Sequence, residues 1–297
     1  MAGLASLRKA VEHPVQAGYL LWSRLHWQSL VGVYRQRARR AGLDRLFLIV
    51  SFDCDTQDDI AAAREVHERM RQCGIMPAYA VPGELLAEGA DIFRPIAASG
   101  AEFLNHGHRR HAYFDRAAGE YRSNFFYDEQ PLDVLEGDLV GGDWSVREIL
   151  GTAPQGFRTP HFGTFQKPAQ LRFLHRVLKR LGYTYSSSTA PFHGWRHGPV
   201  FEDFGLPEIP VSGGGTRPFT IIDSWGCFAA PDRQFAPEDY RSETLALARQ
   251  LAGGPGLLNY YADPSHVLAQ PIFFATMAAL ARLAEPITFA ELMRRRT

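Results

Sequence analysis

Two carboxylates separated by one residue, Asp53-Cys54-Asp55, follow the apolar run Leu46-Phe47-Leu48-Ile49-Val50. Residues i and i+2 of a strand face the same way. At a strand end such a pair can converge on one spot, one carboxylate binding a metal and the other moving a proton. Further along, Asn105 is followed by His106, His108 and His111. One Asp with two of these histidines makes an N,N,O donor set suited to zinc and other divalent first-row metals, with a position left open for water and substrate. Three more polar groups recur downstream: Arg158-Thr159-Pro160-His161, Asp223-Ser224-Trp225 and Asp263-Pro264-Ser265-His266. Singly, each has a plain structural reading. Asp-x-Asp can cap a turn, Arg158 can sit in an ion pair, and His266 can be a solvated loop histidine. Their joint recurrence at the ends of strand-like segments is what makes them a candidate site.

Those segments are 46–53, 77–81, 101–106, 156–160, 183–188, 218–223 and 256–262. Helical patterns lie between them, for example 58–73 and 167–181, with Gly74 and Gly182 just past their ends. Strand followed by helix, repeated about seven times, predicts an α/β fold, a parallel (β/α)7-8 barrel. In such barrels the chemistry gathers at the C-terminal strand ends. The Gly-, Pro- and His-rich stretch 189–217 is read as an irregular excursion. The domain boundaries expected are an N-terminal helical extension at 1–44 and a catalytic barrel at 45–297.

The chain has 297 residues, 45% hydrophobic and 22% charged, with a formal net charge of zero. This is the composition of a soluble globular protein, large enough for one barrel, and nothing global in it suggests a nucleic-acid partner. The balance hides an asymmetry. Residues 1–45 carry eight Lys/Arg against Glu12 and Asp44, a net of +6 that the rest of the chain offsets. Three widely spaced cysteines imply no disulfide framework and favour a reducing compartment. With no signal-peptide pattern and no membrane-spanning run, the expected location is cytoplasmic. On a helical projection Leu20, Trp27, Leu30, Val31 and Tyr34 share a face flanked by Arg24, Gln28, Arg35 and Arg39. That face either closes one end of the barrel or makes a homo-oligomer contact, or else residues 1–40 lie on an anionic membrane surface.

Taken in order, Asp53-Cys54-Asp55, a histidine-rich loop about 50 residues on, Arg158-Thr159-Pro160, a Trp-bearing strand end at Trp225 and the late His266 resemble the polysaccharide deacetylases, carbohydrate esterase family 4. The likeness spans roughly residues 46–292, including Pro286-Ile287-Thr288-Phe289-Ala290-Glu291-Leu292, which is similar to the family's closing strand and helix. The resemblance implies a distorted (β/α) barrel, a divalent metal with zinc foremost, and hydrolysis of an N-acyl, occasionally O-acyl, group on a sugar. By the same resemblance Asp53 is the general base, held by Arg158. Asp55, His106 and His111 bind the metal, and His266 protonates the leaving amine. Trp225 and Asp223 line the pocket. His161 stands where the family has tyrosine, offering its backbone N–H to the oxyanion and its ring for packing or charge. The family's H-x-x-x-H spacing is absent here. His111, followed by Ala112-Tyr113-Phe114-Asp115-Arg116, is the firmer ligand, His106 is chosen as the other, and His108 is kept as its substitute.

A cytoplasmic member cannot reach a finished wall polymer outside the membrane. The implied substrate is therefore a precursor: a nucleotide sugar or, ranked first, a lipid-linked glycan or an intermediate of surface-polysaccharide or lipopolysaccharide biosynthesis. Two alternatives stay open, a cyclic amide hydrolase on the same scaffold and a catalytically silent sugar-binding homologue. The joint presence of Asp53, Arg158 and His266 argues against the silent form.

Overall fold

The structure is a computed structural model that describes residues 14–230, 232 and 235–296. The first thirteen residues of the N-terminal segment, Arg8, Lys9 and Glu12 among them, lie outside the described residues. The central strand β1 (Leu46–Asp53) is buried along its whole length, as expected of a strand hydrogen-bonded on both edges. The sheet then runs in parallel through β2 (Ala78–Val81), β3 (Phe103–Asn105), β6 (Gly156–Phe157), β7 (Tyr185–Ser186) and β9 (Leu206–Glu208). Strand β8 (Phe201–Asp203) lies antiparallel on its far edge. On the other side of β1, β10 (Gly256–Ala262) pairs over seven residues; the short β11 (Glu285–Pro286) pairs with the start of β1, on the edge it shares with β2. A separate hairpin, β4 (Ala112–Asp115) and β5 (Glu120–Ser123), stands off the sheet.

The helices follow the strands as the periodicity predicts. The helix Gln57–Gln72 begins at a capping box in which Thr56 and Asp59 satisfy each other's backbone N–H groups. It ends at Gly74, whose φ of 77° suits glycine. The helix Pro168–Arg180 closes in the same way at Gly182, φ 85°. The helix Leu132–Leu150 lies flush against the turn after β3. A Cβ at Gly142 would come 2.1 Å from Asn105 Oδ1 and 2.6 Å from the Gly107 carbonyl, so only glycine fits there.

One strand expectation fails. Residues 218–223 form turns and irregular backbone. Pro218 has no N–H to give to a ladder, and the Thr220 N–H donates back to the Arg217 carbonyl at 3.1 Å. The excursion after residue 189 supplies the missing edge instead. Ile209 N–H donates to the Ser186 carbonyl at 2.8 Å and Ser212 N–H to the Asn259 carbonyl at 2.8 Å. The Tyr260 hydroxyl donates to the Gly213 carbonyl at 3.1 Å. This segment bridges β7 and β10, so the sheet curls round without closing into one continuous ladder.

The N-terminal chain forms α1 (Pro14–Leu25) and α2 (Trp27–Arg40). Leu30, Val31 and Tyr34 of α2 belong to the same buried cluster as Leu46, Leu48 and Val50 of β1. The Tyr34 hydroxyl donates to the Leu257 carbonyl at 2.9 Å, and the rings of Trp27 and Tyr34 lie 5.0 and 4.9 Å from Trp195. Arg35 donates to the carbonyls of Gln250, Leu251 and Ala252, capping the C-terminal end of the helix Pro237–Leu251. Most of the apolar face read from the sequence is thus spent on packing. Leu20, Leu21 and Leu25 of α1 stay exposed. Among the described residues no helix is long and apolar enough to cross a membrane.

Candidate active site

Asp53 is the last residue of β1, and Asp55 follows as the backbone leaves the sheet. His106 comes directly after β3, at the turn made by Gly107 with φ 80°. That turn folds the loop back and brings His111 beside His106, ring centroids 4.8 Å apart. Asp55 Oδ1 lies 3.3 Å from His106 Nε2 and 3.8 Å from His111 Nε2. Ligand atoms of the three residues fall within 4.8 Å of one another. His106 Nδ1 is 2.7 Å from the Arg158 carbonyl; donating to it leaves Nε2 as a lone pair facing Asp55, the arrangement by which a neighbouring acceptor orients a metal-binding imidazole.

The state of these groups suits a cation. Asp55 Oδ1 and both ring nitrogens of His111 are buried without a hydrogen-bond partner, an unfavourable condition unless something else occupies them. Burial by itself would raise the Asp55 carboxyl, but the His106 contact and the charges of His111 and His106 hold it well below the usual carboxylate range. Burial pushes His111 down to about 3, which keeps its ring neutral. An ionised carboxylate and imidazole lone pairs are the donors a divalent metal takes. His108 is not part of this group. Its Nδ1 lies 3.1 Å from Ser145 Oγ, against the helix Leu132–Leu150.

Asp53 stands beside the trio. Its Oδ1 is 3.5 Å from Arg158 Nη1 and has no hydrogen bond of its own. Burial raises its pKa while Arg158 pulls against that rise. Arg158 is fully buried, held by the hydroxyls of Ser51 at 3.0 Å and Ser187 at 3.3 Å. The rings of Phe162 and Tyr261 face its guanidinium at 5.0 and 5.3 Å.

Across the cleft His266 Nδ1 meets Asp263 Oδ2 at 2.9 Å. Burial alone would lower His266, but the Asp263 charge lifts it to about 9, so the imidazolium persists at neutral pH. Burial presses Asp263 upward, and the His266 charge and hydrogen bond pull against that rise. Trp225 packs near His266, with ring centroids 5.7 Å apart. The Asp223 carboxylate is already engaged, accepting from the Tyr261 hydroxyl at 2.9 Å and the Gly226 N–H at 2.8 Å. His161 adopts φ 51°, a left-handed conformation that costs a non-glycine residue roughly 1–3 kcal/mol and is concentrated at functional sites. Its ring stacks on Phe126 at 4.3 Å, with Nε2 2.7 Å from the Asn124 carbonyl. The side chain is therefore committed to packing.

Two groups are not evident from sequence alone. Asp263, three residues before His266, reads as part of a polar run. Asp59 carries a local signal, because the Thr56-x-x-Asp59 spacing is a capping signature. Its Oδ2 accepts from the N–H groups of Asp55 and Thr56 at 3.1 and 3.0 Å. Its Oδ1 accepts from the N–H and hydroxyl of Ser265 at 3.0 and 2.6 Å. One buried carboxylate thus ties the Asp55 loop to the His266 loop. Asp53, Asp55, His161, Asp223, Trp225 and His266 border a cleft of about 510 Å³ whose rim includes Tyr121 and Arg122 of the β4–β5 hairpin.

No family model matches the sequence, and no curated protein matches it. Solved structures do. A protein described as a polysaccharide deacetylase from Mycobacterium smegmatis superposes with a TM-score of 0.60 at 16% identity, over 82% of this chain and 86% of that one. A probable polysaccharide deacetylase from Pseudomonas aeruginosa PAO1 gives 0.59 at 11% identity, over 85% and 91%. PuuE allantoinase gives 0.57 at 12% identity, over 85% and 90%. With a curled parallel sheet that carries its reactive residues at the strand ends, this chain has the fold of the polysaccharide deacetylases.

Proposed function

We propose that the protein is a metal-dependent hydrolase that removes an N-acetyl or related N-acyl group from a sugar, acting on a precursor in surface-polysaccharide or lipopolysaccharide biosynthesis. One observation carries this reading. The unsatisfied Asp55–His106–His111 group has an arginine-held carboxylate, Asp53, on one side and a protonated histidine, His266, on the other, around one cleft. A divalent metal, zinc by the donor set, held by those three residues would supply Lewis-acid polarisation of the acyl carbonyl and acidify a water.

The protein's own groups do the rest. Asp53, with an oxygen free of hydrogen bonds, takes the proton from the water that attacks the carbonyl carbon. Arg158 fixes Asp53 in place and keeps it ionised until that transfer. His266 carries its proton to the departing amine nitrogen, and Asp263 holds the imidazolium in the orientation to give it. The backbone N–H at His161 is assigned to the developing oxyanion. Trp225, half exposed, offers a flat apolar face to a sugar ring. The exposed leucines and Arg24 of α1 are assigned to the membrane surface.

Acetate release from N-acetylated sugars, measured together with metal content, tests the proposal; turnover that a chelator abolishes and zinc restores is the expected result. Metal-loaded protein that releases no acetate from any N-acetyl sugar overturns it. The likeness to PuuE allantoinase favours a second reading, a cyclic amide hydrolase. Ring opening of a cyclic ureide with no sugar turnover would select that one. The width of the cleft, about 510 Å³ and open along the hairpin, suits a sugar better.

A further inference from the structure

A second cavity, of about 410 Å³, lies between the N-terminal helices and the loop 215–220. Its wall includes Arg24, Arg217, Trp27, Thr220 and Leu20, and no acidic residue. Among the described residues Arg24 makes no hydrogen bond or ion pair, and Arg217 only lies over the Phe235 ring, 4.6 Å from its centroid. The Trp27 indole N–H is buried without an acceptor. Glu243, behind this wall, is already taken up by the N–H of Thr216 at 2.8 Å and by its hydroxyl. Two guanidiniums without an ion pair among the described residues line the space. This is the chemistry that receives an anionic oxygen group, and guanidinium geometry matches phosphate in particular.

The cavity adjoins the catalytic cleft. Thr220 borders the first and Asp223 the second. Three residues apart, their Cα atoms are separated by at most about 11 Å. Between them Ile221 reaches the cleft wall, its Cδ1 lying 3.5 Å from where a Cβ on Gly163 would stand. Phe162 and Thr164, on either side of Gly163, line the cleft. A group reaching along this loop from a sugar in the cleft would enter the cavity.

We infer that this cavity binds a phosphoester carried by the sugar substrate. The inference rests on the sugar N-deacylase reading and narrows its substrate class to phosphorylated sugars. The ester could belong to a lipid carrier or to a nucleotide. Leu20 in the wall, with Leu21 and Leu25 exposed at 58% and 65% on the same helix, supplies apolar surface of the kind a lipid chain covers.

Calorimetric titration of the full-length protein with inorganic diphosphate, farnesyl phosphate and uridine diphosphate reads the site without needing turnover. Diphosphate should bind, and the Arg24→Ala/Arg217→Ala variant should weaken it tenfold or more. Both side chains are exposed and make no ion pair among the described residues, so that variant should keep the wild-type circular dichroism. Farnesyl phosphate binding more tightly than uridine diphosphate supports the ester of a lipid carrier, and the reverse order supports that of a nucleotide. No binding of any of the three, or binding that the double variant leaves intact, overturns the inference. In turnover, the ratio of kcat/KM for N-acetylglucosamine 1-phosphate over N-acetylglucosamine should exceed ten and fall toward one in the variant. Diphosphate binding with neither sugar hydrolysed would count against the deacylase reading and leave the cavity assignment standing. Hydrolysis of both sugars at equal kcat/KM without diphosphate binding would do the opposite.

Discussion

At the level of single residues, the proposed reaction gives metal binding and proton transfer to different groups. Asp53 is not among the three convergent ligands, so Asp53→Asn should keep full metal content while turnover falls about 10²-fold or more, the usual scale for a general base. Metal analysis and kcat on the same preparation check this, and near-normal turnover would remove Asp53 from the role. Asp55→Ala or His111→Ala should abolish stoichiometric metal, whereas His108→Ala should retain it, because His108 is turned toward Ser145. In the proposed reaction the His266–Asp263 pair would set the alkaline side of the pH profile. His266 is raised from 6.5 to about 9, so the proton it donates is present through neutrality and is lost as pH climbs through that value. The stabilisation from the raised pKa has the same sign: full below pH 6.5 and fading toward pH 9. Asp263→Asn removes the charge that lifts His266. The alkaline limb of kcat against pH should then move to lower pH by a unit or more, and an unmoved limb would show that His266 is not the acid.

At the level of elements, the decisive contacts join loops that are far apart in sequence. Asp59 sits in the first turn of the helix Gln57–Gln72 and holds both the Asp55 backbone and Ser265. Ser265→Ala removes one of its bonds on the His266 side. It should lower kcat with little loss of metal, while Asp59→Ala should lower both and cost about 1–3 kcal/mol in denaturant unfolding for the buried donors left unpaired. The helix Leu132–Leu150 has the same kind of role on the other side. At Gly142 an added methyl collides with Asn105 and with the Gly107 carbonyl. Gly142→Ala should therefore displace the loop that carries His106. Weaker metal binding together with roughly 1–3 kcal/mol of destabilisation is the expected outcome. Unchanged metal affinity would mean that the loop yields without moving the histidine.

For the whole molecule, the N-terminal chain is divided in its duties. Helix α2 fills the core beside β1 and β10, so truncation through Arg40 uncovers Leu46, Leu48 and Gly256 and removes the Tyr34 bond to Leu257. We expect that truncation to be insoluble or to melt at a much lower temperature. Removing residues 1–25 should instead leave a folded protein, because α1 buries none of its residues fully. If α1 meets a membrane, the full-length protein should bind anionic vesicles at low salt and release them as salt rises, and the 1–25 deletion should lose that binding. Salt-independent or absent vesicle binding would assign α1 another partner.

The sequence by itself determined the parts whose information is local. The apolar run Leu46–Val50 reads as a buried strand, and two aspartates at its end share a side. Periodicity and a following glycine bound a helix, so the α/β alternation and most of the reactive positions could be read from residue types and spacing. The tertiary structure decided what depends on contacts between distant segments. Which two of three histidines face Asp55 is set by the left-handed turn at Gly107 and by a helix thirty residues later that claims His108 through Ser145. Residues 218–223 had the composition of a strand, but the β10 edge is met by the Ser212 N–H at the Asn259 carbonyl, while the Thr220 N–H turns back to Arg217. The aromatic face of α2 carries the same pattern whether it meets lipid or protein. The presence of Trp195 and Leu257 opposite it, both more than 150 residues away, decided that it packs inward.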